Sequence, residues 1–129
     1  MKPGFDPGIE RHLEITVTEQ MSPVFDGVVV HRCYSTWSLV HHMEIAARMV
    51  LKDFLDADEE GLGVHIDVDH LHPCKVGQTV CVRAELIEAT SRRAVCAVTA
   101  HHGERLLARG TQVQAVLKRS YIEKLIQRS

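Results

Sequence analysis

The order of apolar and polar side chains divides the 129-residue chain into one helical segment and several alternating segments. Between Ser35 and Phe54 the apolar residues recur every three or four positions, as they do on one face of an α-helix. After an acidic, glycine-containing turn at Asp56–Gly63 the apolar residues alternate with polar ones, which is typical of half-buried strands. The pattern therefore predicts one long helix followed by a run of strands.

Five strands are predicted, one before the helix and four after it, joined by short connections that favour antiparallel pairing. The apolar run Val28–Val30 fits either a short strand or a packed loop, Met1–Gly8 is typical of an extended arm, and Tyr121–Gln127 has the pattern of a short amphipathic helix. The predicted strands are His12–Thr18, Gly63–His72, Val80–Glu88, Arg92–His101 and Leu106–Leu117.

A single helix with one broad apolar arc needs a surface to cover it, and a curved sheet is the only surface that this pattern provides. We therefore predict an α+β hotdog fold, in which one long central helix is wrapped by a curved antiparallel sheet of about five strands. The length suits a single domain over residues 1–129. Because the sheet leaves an edge strand open, we also expect a homodimer, with a tetramer as the larger alternative.

Composition and charge argue against several classes of partner. The chain is 45% hydrophobic and 25% charged, and its net charge of −2 favours neither nucleic acid nor an anionic membrane surface. No apolar run is long enough to span a bilayer, and the N-terminal residues lack the apolar core of a signal peptide. The four cysteines form no CxxC pair and fit free thiols in a reducing compartment, so we expect a cytoplasmic protein.

Glu44 is a charged residue that the helical pattern places inside the apolar arc. A carboxylate in that position is costly unless it has a partner or stays neutral. The strand face that should meet the helix carries His70, in line with Val64, Ile66 and Val68. We therefore predict that Glu44 pairs with His70, fixes its tautomer and stabilises its charged form. The pattern alone favours a purely structural pair, without chemistry, over a catalytic one.

Thr36 lies eight residues before Glu44, about 12 Å along an ideal helix, so the two side chains cannot bond directly on a continuous helix. Either Ser35 or Thr36 is suited to cap the helix N-terminus. Thr36 can share a site with Glu44 only if His70 reaches it, if the start of the helix is unwound, or if a second subunit supplies a group.

Three segments together resemble the fluoroacetyl-CoA thioesterase family of hotdog enzymes, over most of the chain from about Thr36 to Val116. The segments are CYSTWSLVHHMEIAA, GLGVHIDVDHLHPCKVGQTVCVRAEL and LLARGTQVQAVL. The most specific feature is the spacing of a Thr, a Glu eight residues later, and a His seven residues before the glycine of a turn, here Gly77. The resemblance implies a catalytic Thr/Glu/His triad at Thr36, Glu44 and His70.

The resemblance also implies an activity, namely hydrolysis of a short or small acyl-CoA thioester to the free acid and CoA, without a cofactor. Leu62-Gly63 matches a family turn, and Gly63 would then lie at the substrate, where its backbone permits close approach. Two departures imply a different acyl preference. No Phe follows Phe25 before the Thr, where the fluoroacetyl-specific enzyme has Phe residues over the acyl group, and Gln114 stands where that enzyme has an Arg.

Two other functions remain open: a non-catalytic hotdog protein that binds acyl-CoA or another small molecule, and a hydratase of the same fold class. A metal site is a weaker alternative. It would draw on residues 67–74, DVDHLHPC, but a regular strand turns the two Asp side chains away from the two His side chains, so no metal is predicted.

If the substrate is an acyl-CoA, its phosphates require cationic partners at the rim of the sheet. The candidates are Lys75, Arg83, Arg92, Arg93 and Lys118. The adjacent pairs His41-His42 and His101-His102 are expected on the surface rather than in a site.

Overall fold

The structure is a computed structural model that describes residues 1–129, and its core is one helix lying against one curved sheet. In chain order the elements are β1 (Glu10–Thr16), a hairpin of β2 (Val24–Phe25) and β3 (Val28–Val29), α1 (Thr36–Leu51), β4 (Glu59–His70), β5 (Thr79–Ala89), β6 (Arg93–His102), β7 (Arg105–Lys118) and α2 (Arg119–Gln127). The short apolar run that fitted either a strand or a loop is therefore one half of the hairpin.

The main sheet has five antiparallel strands in the order β1-β5-β6-β7-β4, so that β1 and β4 form its two edges. Bulges in β4, β5 and β7 each add a residue to one strand of a pair, and bulges of this kind increase the local bend and twist of a sheet. This confirms the predicted α+β architecture of one long helix and a five-stranded antiparallel sheet.

The core lies between the apolar face of α1 and the inward faces of β5 and β6. Burial of each large side chain on this helix face contributes about 1.5–3 kcal/mol. The inward residues on the two strands are at most 1% exposed, and they are Val80, Val82, Ala84, Leu86, Ala94, Cys96, Val98 and Ala100. The alternation predicted for β5 is confirmed at all four of its inward positions.

Helix α1 begins at Thr36 because Ser35 caps it, its Oγ accepting a hydrogen bond from the backbone N–H of Ser38 at 3.1 Å. The helix ends at Leu51, earlier than predicted, and residues 52–54 tighten into a 3₁₀ turn. Phe54 packs there against Phe5 of the N-terminal arm, with ring centroids 5.2 Å apart. Neither helix of the chain combines the length and the apolar character needed to cross a membrane.

Strand β4 departs from the predicted pattern at one bulge. The pairing with β7 shifts between Gly63 and His65, so the extra residue, Val64, is turned outward and is 50% exposed. The predicted inward position of Val64 is therefore wrong, because a bulge reverses the face on which the preceding alternation falls. Ile66 and Val68 do pack against the core, and His70 follows them at the end of the strand.

Candidate active site

Thr36 and His70 meet at the start of α1. Thr36 is the first residue of the helix, His70 is the last residue of β4, and their Oγ1 and Nδ1 atoms are 2.9 Å apart. Because Ser35 provides the cap, the Thr36 hydroxyl is left free to bond with the imidazole. Of the three ways in which Thr36 could join a site, a direct contact from His70 is the one that this chain forms by itself.

His70 is held in a form suited to accept a proton. Burial is the main cause that lowers its pKa, which favours the neutral imidazole at pH 7. A neutral ring with its proton on Nε2 can accept the Thr36 hydroxyl hydrogen at Nδ1. The Nε2 atom is buried and has no hydrogen-bond partner, an exception to the rule that buried polar groups are paired. Within the chain, Nδ1 is therefore the only ring nitrogen of His70 with a side-chain partner.

Glu44 does not pair with His70 within the chain. Its side chain is exposed rather than buried, and it makes no hydrogen bond or ion pair. The carboxylate faces β4, where Oε2 lies 3.4 Å from the position that a Cβ on Gly63 would occupy. The predicted buried pair is therefore wrong for the single chain, because Gly61 and Gly63 place no side chain over this part of the helix.

The four predicted site residues thus line two different cavities. Thr36 and His70 line a cavity of about 400 Å³ beside the start of α1. Glu44 and Gly63 line a second one of about 240 Å³, further along β4. The structure brings the residues together in pairs, Thr36 with His70 and Glu44 with Gly63, and leaves the two pairs apart.

Two buried glutamines on β7 form the floor of the Glu44 cavity. Gln114, which stands where the fluoroacetyl-specific enzyme has an Arg, donates a hydrogen bond from Nε2 to the carbonyl of Ala47 at 3.2 Å. This hydrogen bond occupies the Gln114 amide and joins β7 to α1. Gln112 lies beside Gly63 and has a buried Oε1 atom without a partner.

Sequence reasoning missed a second buried histidine, His42, which was expected on the surface. His42 is 8% exposed, and the Tyr34 hydroxyl lies 2.6 Å from its Nδ1 with the two rings stacked. Burial lowers the pKa of His42 and raises that of Tyr34, so both are neutral and the phenol donates to the imidazole. The helical pattern does indicate burial of His42, because position 42 lies between Leu39 and Ala46 on the apolar face of the helix.

Ion pairing reduces the set of cations that could bind phosphate. Arg83 pairs with Glu10, and the Lys118 ammonium lies 2.6 Å from a carboxylate oxygen of Asp58. Lys75, Arg92 and Arg93 form no ion pair, and the two arginines line grooves beside the turn between β5 and β6. For the metal alternative, no group of three His, Cys, Asp or Glu side chains converges so as to hold an ion.

One long helix lying against a curved five-stranded antiparallel sheet is the architecture of a hotdog protein. The family model described as fluoroacetyl-CoA-specific thioesterase matches residues 17–120. The chain belongs to that family.

Similar proteins agree with this placement. A fluoroacetyl-CoA thioesterase of Streptantibioticus cattleyicolor is 34% identical over 84 residues, which cover 65% of this chain and 60% of that protein. A thioesterase superfamily member from Thermus thermophilus superposes with a TM-score of 0.93 at 30% identity, covering 98% of this chain and 93% of that one. The fluoroacetyl-CoA thioesterase FlK has the same fold, with a TM-score of 0.89, 24% identity and 98% of each chain covered. These structures establish the hotdog fold.

Proposed function

We propose that this protein hydrolyses an acyl-CoA thioester to the free acid and CoA, with Thr36, Glu44 and His70 as catalytic residues. The observation that carries the proposal is the 2.9 Å contact between the Thr36 hydroxyl and the His70 imidazole. Membership of a thioesterase family supports the same chemistry. The proposal includes a cytoplasmic location, which the four free thiols support.

The reaction begins with attack by Thr36 on the thioester carbonyl. His70 takes the hydroxyl proton at Nδ1 as the Oγ1–carbon bond forms, and it returns that proton to the CoA sulfur as the carbon–sulfur bond breaks. Water then attacks the acyl-Thr36 ester and releases the acid, and Thr36 regains its proton. A thiolate is a good leaving group, so this sequence needs no metal.

The start of α1 supplies a site for the negative oxygen that develops during attack. The backbone N–H groups of Thr36 and Trp37 have no partner in the chain, whereas that of Ser38 is taken up by the Ser35 cap. Free amide donors at a helix N-terminus also gain from the helix dipole. Such donors stabilise an oxyanion most effectively when they are fixed in place before the reaction.

We propose that Glu44 reaches this site from a second subunit. Gly63 and His70 are seven residues apart on β4, roughly 20 Å in an extended strand, so Glu44 and His70 of one chain lie far apart. The outer edge of β4 is unpaired over a long strand, and such edges tend to pair with another chain. If two β4 strands pair antiparallel, with the two-fold axis midway between Gly63 and His70, the partner subunit's Gly63 lies opposite His70. The partner subunit's Glu44, which lies beside Gly63, would then also be next to His70.

In this homodimer each subunit contributes part of both sites. Thr36 attacks the thioester with His70 as its base, and the partner subunit's Glu44 activates the water that cleaves the acyl-Thr36 ester. The partner subunit's Gly63 leaves room for the substrate to approach that carboxylate. For the CoA phosphates we propose Arg92 and Arg93, two adjacent guanidinium groups without acidic partners.

A panel of acyl-CoA thioesters, with detection of the released thiol and mass analysis of the product, tests the proposed function. We expect release of CoA and the free acid, and a loss of about 100-fold in kcat/KM for Glu44→Ala. Wild-type turnover in both Glu44→Ala and His70→Ala would refute the catalytic assignment. Binding without turnover would favour a binding protein, and a hydroxyacyl-CoA product would favour a hydratase.

The pH dependence of the reaction should follow the protonation of His70. Burial lowers its pKa below the usual value of about 6.5, so the active neutral form is dominant at pH 7 and is lost only as the pH falls through the lowered value. We expect kcat/KM to be level from pH 7 to 8 and to fall about tenfold per pH unit once the pH is below the lowered pKa. A profile that is already falling between pH 8 and 7 would contradict this.

A further inference from the structure

The cavity beside Thr36 and His70 has an apolar wall that the proposed chemistry does not use. Hydrophobic side chains form that wall, and they are Pro23, Phe25, Trp37, Leu71 and Pro73. None of the twelve lining residues is Asp, Glu, Lys or Arg. An acyl group bonded to Thr36 would lie against this wall, and a charged acyl group would find no Asp, Glu, Lys or Arg side chain there.

The hairpin of β2 and β3 forms a flap at the mouth of this cavity. Its turn, Asp26-Gly27, has φ of +52° and +75°, the geometry of a two-residue turn that matches the twist of paired strands. The flap is held to the helix by Phe25, whose ring meets that of Trp37 edge to face at 6.3 Å. The aromatic contact therefore places the flap directly over the Thr36 end of α1.

The flap exposes more apolar surface than a short hairpin needs. Phe25 is 62% exposed, Val28 63% and Trp37 46%, and the neighbouring Val29 and Val30 are both 48% exposed. An isolated two-stranded hairpin is marginal in water, and a contiguous apolar patch of this kind marks a binding surface. Because the patch adjoins the reacting hydroxyl, its natural occupant is the apolar tail of the bound substrate.

We propose that the flap and the cavity wall select an uncharged, apolar acyl chain of about four to eight carbons. This inference rests on the proposed function and specifies the substrate of the same site. A cavity of about 400 Å³ is much larger than a two-carbon acyl group requires. Each methylene that leaves water for the apolar wall increases kcat/KM about fourfold, until the chain outgrows the wall.

A chain-length series tests the inference. We expect kcat/KM to rise about fourfold per methylene from acetyl-CoA to hexanoyl-CoA, with succinyl-CoA no better than acetyl-CoA. In Phe25→Ala the ratio of hexanoyl to acetyl turnover should fall several-fold, because the flap loses its largest apolar contact. Ile126→Ala is the matched control, since Ile126 is an equally exposed apolar side chain on α2, and it should keep the wild-type ratio.

Binding can be followed without turnover, because Trp37 is the single tryptophan of the chain and lines the cavity. Its fluorescence should respond to hexanoate at a concentration on the order of a hundredfold lower than to acetate. Hydrolysis with a flat or falling chain-length series, or an unchanged ratio in Phe25→Ala, would overturn this inference alone. Absence of hydrolysis for every thioester would overturn the proposed function, and this inference with it.

Discussion

Replacing His70 with asparagine should lower kcat/KM for acyl-CoA hydrolysis by about 10²–10⁴-fold without unfolding the protein. The asparagine amide can take the place of Nδ1 and keep a hydrogen bond to Thr36 Oγ1, but it cannot accept and return a proton. The loss should therefore appear mainly in kcat. Steady-state kinetics with free-thiol detection, together with a thermal melt, measure both parts of this prediction.

His72→Asn provides a matched control for this substitution. His72 lines the same cavity two residues further along the chain and makes no hydrogen bond to Thr36. We expect its turnover to stay within a few-fold of wild type, because no proton transfer passes through it. Equal losses in the two variants would mean that the cavity, rather than the Thr36–His70 contact, is sensitive to asparagine.

Replacing Gly110 with alanine should destabilise the fold by about 4 kcal/mol or more. A Cβ at this position would lie 1.9 Å from the backbone oxygen of Asp67 and 3.0 Å from the Cα of Val68. Backbone atoms of a paired strand cannot rotate away, so β4 must separate from β7, and β4 carries both Gly63 and His70. Urea denaturation should show a large drop in the midpoint, or the variant should fail to fold.

Gly63→Ala is the matched substitution on the same sheet. There the new Cβ would meet only Glu44 Oε2 at 3.4 Å and Gln112 Nε2 at 3.6 Å, both of which are ordinary contacts with side-chain ends. Its unfolding midpoint should stay close to wild type. If Gly63→Ala is as unstable as Gly110→Ala, the close approach of β4 to β7 at Gly110 is not the cause.

Periodicity was sufficient to predict the helix, the main strands and the inward face of β5, because these depend on local alternation and burial. Periodicity gave the wrong orientation for Val64, because a bulge reverses the alternation there and the local pattern does not indicate an inserted residue. The prediction that Glu44 is buried and paired with His70 failed for a different reason. The helical phase of Glu44 was right, but the opposing strand carries glycines, so the position faces a cavity rather than packed side chains.

The candidate site was predictable only in part. Thr36 and His70 come from elements far apart in the sequence. Their contact depends on Ser35 being the helix cap, and the sequence alone did not decide whether Ser35 or Thr36 has that role. The buried bond between Tyr34 and His42 was not found, because His42 was assigned to the surface as one of a histidine pair. The separation of Glu44 from His70 needed the full register of β4, which follows from pairing with β7 and not from alternation.

Heterodimers of two inactive variants test the composite site most directly. Thr36→Ala and Glu44→Ala chains would be co-expressed with different tags, purified through both tags, and assayed for CoA release. If each site combines Thr36 and His70 of one subunit with the partner subunit's Glu44, every heterodimer regains one intact site and about half of wild-type activity. Heterodimers of Thr36→Ala with His70→Asn should regain none, since those residues belong to one chain. Activity no higher than that of the parent variants in the Thr36→Ala/Glu44→Ala heterodimer would contradict the shared site.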